Sequence, residues 1–549
     1  MKIPTEQHQR DISLIGGMKT ERSYWWPHWR EIATYVLPRR YRWLESEKES
    51  ISKAAKNPNI LDGTGTMAAR VLAAGLMNGI TSPGRPWFRL RIPGMMEEAG
   101  SPERVWLDEV QRRMLLVMAE SNFYNGLAML YLDLAVFGTA VMLIYEDAEN
   151  VIRCFNPCLG EYYLGQDARL QVNMFAREFN YRTHQVVEQW GAENVSPAVK
   201  AAHTGGGAQM LTPHKITHLI QPNDGRLPRR FPFIETYWEA GAQSGSILGQ
   251  YGYYEFPGIA ARWELNGNEP YGMSPAMDAL GDIIQLQHET KRKGQSLDKM
   301  VNPPMVADIQ LKHRPTALLP GGMTYVAGVN NIGVKPAYTV NPPLGELTLD
   351  IREVQARIRE TFHNDLFQMI SQLDTVRSAT EIDARREEKL IRLGGVLERF
   401  ENEALDPAIR RLFSVMQRAQ LIPEPPESLQ GADIEVQYVS ILSTAQNAIA
   451  AAPLERLLGV VGNISPIKPE VLDVVNWEEA IPGYAADIGV RAKDINGPER
   501  LRQLAAERQQ LIAAREAAAT GEALVNAGKT LSETEVGGGQ NALARLMGA

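Results

Sequence analysis

The sequence predicts an α+β protein that is mainly helical, and three observations carry that expectation. Two helices of about 25 residues each are expected over 274–300 and 345–370. The second has an apolar stripe along its length, and the first has its apolar positions early, Met277, Leu280, Ile283 and Ile284, before it turns polar at HETKRKGQ. Between Thr139 and Tyr181 the pattern changes to strands, AVMLIYED, VIRCFNP, EYYLG and LQVNMFAREF, separated by Asn-Pro and Gln-Asp turns. The two long helices bracket some forty residues dense in Pro, Gly and β-formers, so a paired stalk carrying a small β head is expected.

The elements follow in order. Pro27 suits the first turn of a helix, and PHWREIATYVL stops before Pro38. Trp25, Trp26 and Trp29 crowd that helix start and read as an anchor in the core. TGTMAARVLAAGLMNGI carries Ala68, Ala69, Ala73, Ala74, Gly75 and Gly79 on one helix, with Asp62 or Thr64 as its cap. Glycine inside a helix costs about 1 kcal/mol relative to alanine, so another element must press closely here. The corner Thr81-Ser82-Pro83-Gly84-Arg85-Pro86 then hands over to a half-buried strand, WFRLRI.

A helix from Pro102 to about Ser121 and a second from Tyr124 to Val136, closed by Gly138, precede the strands. Thr183 is expected to cap a short helix ending at Gly191, and HTGGGAQ (203–209) to be a flexible loop before the strand KITHLIQP. In the second long helix Leu347, Ile351, Val354, Ile358, Phe362, Leu366 and Met369 form a continuous apolar stripe. SQLDTVRSA (371–379) interrupts it, and helix resumes from Thr380. Pro423, Pro425 and Pro426 precede the strand IEVQYVS, and the alanine-rich tail is helical around NGPERLRQLAAERQQLIAAREAAAT.

Composition bounds the function. A chain of 549 residues exceeds one hydrophobic core. With 44% hydrophobic and 22% charged residues it has a soluble globular balance, and its net charge of −8 argues against a dedicated nucleic-acid binder. Two cysteines, Cys154 and Cys158, make no disulfide framework and place it in a reducing compartment. The longest apolar run, 134–145, is too short for a bilayer, and MKIPTEQHQRDISL lacks the apolar stretch of a secretory signal. No membrane partner is expected.

Chemical motifs fail one after another. Gly528-Lys529-Thr530 has Ala523 where a phosphate-binding loop needs glycine, and only nineteen residues follow. His214 and His218 stand four apart, but on a strand, where they only share a face. Cys154 and Cys158 have no second ligand pair nearby for zinc. No cofactor, metal or catalytic residue is expected, and the chain reads as a non-enzyme.

Taken together, SYWWPHWREIATYVLPRR, LDGTGTMAARVLAAGLMNGITSPGRPWFRL, SNFYNGLAMLYLDLAVFGTAVMLIYED and SATEIDARREEKLIRLGGVLERFENEALDPAIRRLF resemble, in order and spacing, the head-to-tail connector (portal) proteins of short-tailed bacteriophages. The resemblance covers nearly the whole chain. It implies a fold with a wing at 1–273, a two-helix stem at 274–300 and 344–370, and a β-rich clip at 301–343. A tunnel loop with the wing return would occupy 371–440, and a C-terminal helical crown 441–549. It further implies a homo-oligomeric ring, a dodecamer, at one capsid vertex, through which double-stranded DNA is packaged and ejected. The implied partners are the terminase large subunit, a tail adaptor protein, and the major capsid and scaffolding proteins. The implied location is the virion, after assembly in the host cytoplasm. Candidate DNA contacts are Gln372, Asp374 and Arg377 in the tunnel loop and Lys291, Arg292 and Lys293 on the stem; Lys312, His313 and Arg314 are candidate partner contacts in the clip. The alternatives are a non-channel capsid or scaffolding protein and, disfavoured by the absent phosphate-binding loop, the terminase enzyme itself.

Overall fold

The computed structural model describes residues 2–39, 59–92, 102–241, 243, 245–303, 343–371 and 394–429, with short pieces at 305–307, 334–336, 435–439 and 457–464 and a few positions beyond. In chain order its elements are α1 (Thr5–Ser23), α2 (Trp26–Tyr35), α3 (Thr64–Ile80), β1 (Phe88–Arg91), α4 (Pro102–Glu120), α5 (Phe123–Phe137), β2 (Thr139–Asp147), β3 (Val151–Phe155), β4 (Tyr162–Gln166) and β5 (Val172–Arg182). They continue with α6 (Thr183–Trp190), α7 (Pro197–Gly205), β6 (Pro213–Pro222), β7 (Phe233–Glu239), β8 (Gly249–Tyr253) and β9 (Gly258–Arg262). After a helical turn at Pro275–Asp278 come α8 (Leu280–Val301), β10 (Met305–Ala307), β11 (Val334–Pro336), α9 (Leu344–Thr361), α10 (Asn364–Ser371), α11 (Asp406–Arg418) and β12 (Glu435–Tyr438). The fold is α+β and mainly helical.

Two compact units divide the chain. The first takes residues 1–88, 112–422 and 438–446, the second 89–111, 423–437 and 447–549. In the first unit β4-β5-β6-β7-β8 form an antiparallel sheet in sequential order. Side chains alternate along a strand, so the sheet has two apolar faces. Phe179, Ile216 and Tyr237 pack with Val186 and Trp190 of α6 and Val199 of α7. Ala176, Leu219 and Trp238 pack with Ile15 and Met18 of α1. A second sheet, β3-β2-β9, lies beside α5, whose residues from Leu134 to Phe137 are all buried. Trp29 is fully buried, edge-on to Tyr271 and stacked on Trp25, while Arg22 lies over the Trp26 ring; the three tryptophans serve as a core anchor.

In the second unit Trp106 Nε1 donates to the Pro423 carbonyl at 3.0 Å, Arg91 pairs with Glu435 at 3.0 Å, and the Ser428 hydroxyl donates to Glu103 at 2.5 Å.

Local readings differ from the structure in three places. Thr183 does not cap α6: its hydroxyl donates to the Gln209 carbonyl, and Gln185 caps the helix from inside by accepting from the Arg182 N–H at 2.9 Å. HTGGGAQ is not a loop, because α7, started by Ser196 accepting from the Val199 N–H, runs to Gly205, and Gly207–Leu211 form a 3-10 turn. The long helix expected over 345–370 is two helices, broken where His363 adopts a φ of 52°. Phe362 and Leu366 are buried on both sides of the break, so the apolar stripe runs through it uninterrupted.

Candidate functional site

The stalk foreseen in the sequence is a helical hairpin. Ser274 opens it, accepting from the Met277 N–H, with Pro275 in the first turn. With 22 and 18 residues, α8 and α9 extend about 33 and 27 Å at 1.5 Å per residue. At their far ends β10 and β11 pair antiparallel, Met305 opposite Pro336 and Ala307 opposite Val334. Ile351, Val354 and Ile358 of α9 and Leu280, Ile283 and Leu286 of α8 supply the buried seam. Arg357 Nη2 reaches Asp282 Oδ1 across the hairpin at 3.1 Å.

The root of the hairpin is held by a hydrogen-bond hub at the head of α3. Gln287, buried on α8, accepts from the Leu61 and Asp62 N–H groups at 2.7 and 2.9 Å and donates to the Asp62 carbonyl at 2.9 Å. Gln355 of α9 donates to Asp62 Oδ2 at 2.7 Å, while Asp62 Oδ1 accepts from the Thr64 N–H and hydroxyl. Asp62 therefore ties both long helices to the start of α3. The sequence suggested Asp62 or Thr64 as the cap, but Gly63 takes the N-cap position without a side-chain cap, and Asp62 instead binds Thr64, the first helical residue. The available signal for the hub was Gln287, a polar residue standing in the apolar row of α8.

Small residues let the hairpin seat itself on α3. A Cβ on Gly65 would stand 3.0 Å from Ile283 Cδ1, and one on Gly75 would stand 2.2 Å from Cγ of Phe367 on α10. The helix that returns after residue 394 is also pinned by charge. It passes through a π-helical turn, Glu401–Leu405, and Glu403 there accepts from the Arg262 guanidinium at 2.7 and 3.1 Å. One turn into α11, buried Arg411 donates to the Ile144 carbonyl at 2.8 Å and to Glu255 at 3.0 Å.

Titratable clusters elsewhere are structural. His214, on β6, bonds the Thr183 hydroxyl. His218 Nε2 lies 2.6 Å from Glu235, which also accepts from the Tyr237 and Tyr253 hydroxyls. Burial of Glu235 opposes its charge, yet His218 and the two hydroxyls hold its carboxyl below the ordinary range. Burial pushes the Cys154 thiol up to about 12, which leaves it protonated and unreactive. Among the described residues no group of three or more His, Cys, Asp or Glu could hold a metal, and no helix is long and apolar enough to cross a membrane.

The candidate contact residues are distributed as follows. Lys291 and Arg292 are exposed on α8 and Lys293 is half-buried. Three consecutive helical residues fan across about 200°, so the cluster does not present one face. Gln372, Asp374 and Arg377, like Lys312, His313 and Arg314, lie outside the described residues.

The described residues form an α+β body carrying a helical hairpin, and many of its buried polar groups join one element to another. Residues 9–495 match the family model of the bacteriophage head to tail connecting protein. The chain is 38% identical over 537 residues to a protein named "Portal protein" from Salmonella phage epsilon15, covering 96% of both chains. It is 39% identical over 519 residues to the "Probable portal protein" of Bordetella phage BPP-1, covering 92% of both. The chain belongs to the phage head-to-tail connecting protein family, and it is a structural protein rather than an enzyme.

Proposed function

We propose that copies of this chain close into a ring, a dodecamer, at one capsid vertex, and that double-stranded DNA enters and leaves the head through its centre. In this reading α8 and α9 are the stem, the segment closed by β10 and β11 is the clip that meets the packaging terminase and then a tail adaptor, and residues 1–273 are the wing. Segment 371–440 supplies the tunnel loop and wing return, and 441–549 the crown. The ring is built in the host cytoplasm with scaffolding and major capsid proteins and ends in the virion. The hairpin is the observation that carries this: two long antiparallel helices rooted in the body at Asp62 and closed at the far end by a strand pair. A net charge of −8 per chain supports passage over capture, since tight phosphate binding would brake a moving duplex. Gln372, Asp374 and Arg377 are the proposed channel contacts, and Lys312, His313 and Arg314 the proposed clip contacts. The stem cluster is divided by helix geometry, and only part of it can look toward an axial duplex.

The test is the mass and shape of the purified chain. Mass photometry is expected to show particles twelve times the 61.1 kDa of one chain, and negative-stain images a ring with a central hole. A monomer under assembly conditions, or shell-like particles without a hole, overturns the reading, the latter in favour of a capsid or scaffolding role.

A further inference from the structure

The stem hairpin has two sides of opposite charge. On α8, His288, Arg292, Gln295 and Lys299 recur at steps of four, three and four, with Lys291 beside them, and all are exposed. On α9, Glu346, Asp350, Glu353 and Glu360 form an exposed acidic row, shared only with Arg357. That arginine bonds Asp282 of α8, which places the acidic row on the same side of the hairpin as Asp282 and, two turns on, Glu289. Arg352 and Arg359, exposed on the other flank of α9, fall on the side of the Arg292 row. One side of the hairpin is therefore mainly basic, apart from Asp298 beside Lys291, and the other mainly acidic, apart from Arg357 and from Lys293, which lies three turns along from Asp282.

Among the described residues most of these charges lack a close partner of opposite sign, although Asp350 shares the field of Arg357. Lys291, Arg292, Lys299, Arg352 and Arg359 make no ion pair among the described residues, nor do Glu346, Asp350 and Glu360. Glu289 accepts from Gln285 through Oε1 at 2.6 Å, and its Oε2 is buried without a partner among the described residues. A solvated helix surface has no need to sort its charges by side.

We propose that the basic side of one hairpin docks against the acidic side of the hairpin in the next copy of this chain, with Lys291 and Arg292 meeting Glu346 and Asp350. The proposal rests on the ring reading and gives it a lateral contact. A head-to-tail ring needs two different faces per copy that complement each other, which this hairpin carries. Height agrees as well. Counting equal steps along the antiparallel pair from the Asp282–Arg357 bond sets Lys291 level with Thr348 and Arg292 level with Leu347, between Glu346 and Asp350. Rotation about a ring axis preserves height, so with the hairpin along that axis the neighbour's two carboxylates stand within about one helical turn of these two cations.

Charge reversal tests this on the full chain. Lys291→Glu with Arg292→Glu makes both sides acidic, and Glu346→Lys with Asp350→Lys makes both basic. Each variant alone is expected to lose rings by roughly tenfold or more at low salt, with partial recovery as salt screens the repulsion. Mixed in equal amounts, the two are expected to form rings in which they alternate, seen by native mass spectrometry as equal numbers of each mass. Neutral Lys291→Gln with Arg292→Gln disturbs folding least and is expected to weaken the ring less than reversal. Ring formation by either reversed variant at wild-type yield overturns the contact, and so does a mixture that forms none while both variants melt as wild type does. A wild-type chain that remains at 61.1 kDa overturns the ring reading instead.

Discussion

Gly75 lies directly beneath the ring of Phe367: a Cβ built on the glycine would stand 2.2 Å from the phenylalanine Cγ and 2.8 Å from its Cβ. The contact joins the small-residue helix α3 to α10, which follows the hairpin, so absence of a side chain at one position sets how deeply the other element sits. Ten residues earlier Gly65 faces Ile283 at 3.0 Å, where the nearest atom is the far end of a movable side chain.

The two glycines are expected to respond differently to the same change. Gly75→Ala must displace Phe367 near its backbone, an overpacking cost of about 1–3 kcal/mol that exceeds the helix-propensity gain of about 1 kcal/mol. At Gly65 the same gain competes only with a small shift of Ile283, and Gly65→Ala is expected to be neutral or slightly stabilising. Urea midpoints of the two variants check this; equal shifts would mean that α10 does not need Gly75.

Removing the amide at the hairpin root should loosen both long helices. Gln287→Leu keeps the size of the side chain but strands the Leu61 and Asp62 N–H groups, at a cost of about 1–3 kcal/mol. Hydrogen exchange is expected to rise at the start of α3 and the facing turns of α8 and to stay unchanged in β5 and β6. Uniform loss of protection across the unit would assign the residue to global stability alone.

Glu401, in the π-helical turn, makes stability depend on pH. Burial, then the nearby Asp406 and Glu398 carboxylates, raise its pKa from 4.5 to about 7. The folded chain thus binds the proton more tightly than the unfolded chain. The stability this contributes is fully present below about 4.5 and lost as pH rises through 7. Glu401→Gln removes that slope, so the variant should gain on wild type by about 1–3 kcal/mol between pH 5 and pH 8. A stability difference that stays constant across this range would show that the side chain titrates in water.

Arg377→Ala tests the channel proposal. Twelve arginines near an axial duplex would each make a weak, salt-screened phosphate contact, so the variant is expected to assemble rings normally and to change packaging or retention of DNA. If Arg377 instead bridges neighbouring copies, the ring itself weakens. Normal packaging, retention and ejection by the variant would remove this residue from the channel.

The sequence by itself determined the kinds of element. Periodicity near 3.6 marked α9 and the first turns of α8, periodicity near 2 marked β2 to β6, and a proline or glycine stood where many of them begin or end, as at Pro27, Pro275 and Gly138. These signals are local, because they arise from how a few consecutive residues share a face. Only the tertiary structure decided the partners. Nothing local tells Asp62 that it will meet Gln287 and Gln355, Arg262 that Glu403 awaits it, or Gly75 that Phe367 will lie across it. The break at His363 stayed hidden for the same reason, since Phe362 and Leu366 keep the apolar stripe intact on both sides. Those pairings depend on which surfaces the whole chain can bury together, and a pattern read a few residues at a time does not contain that information.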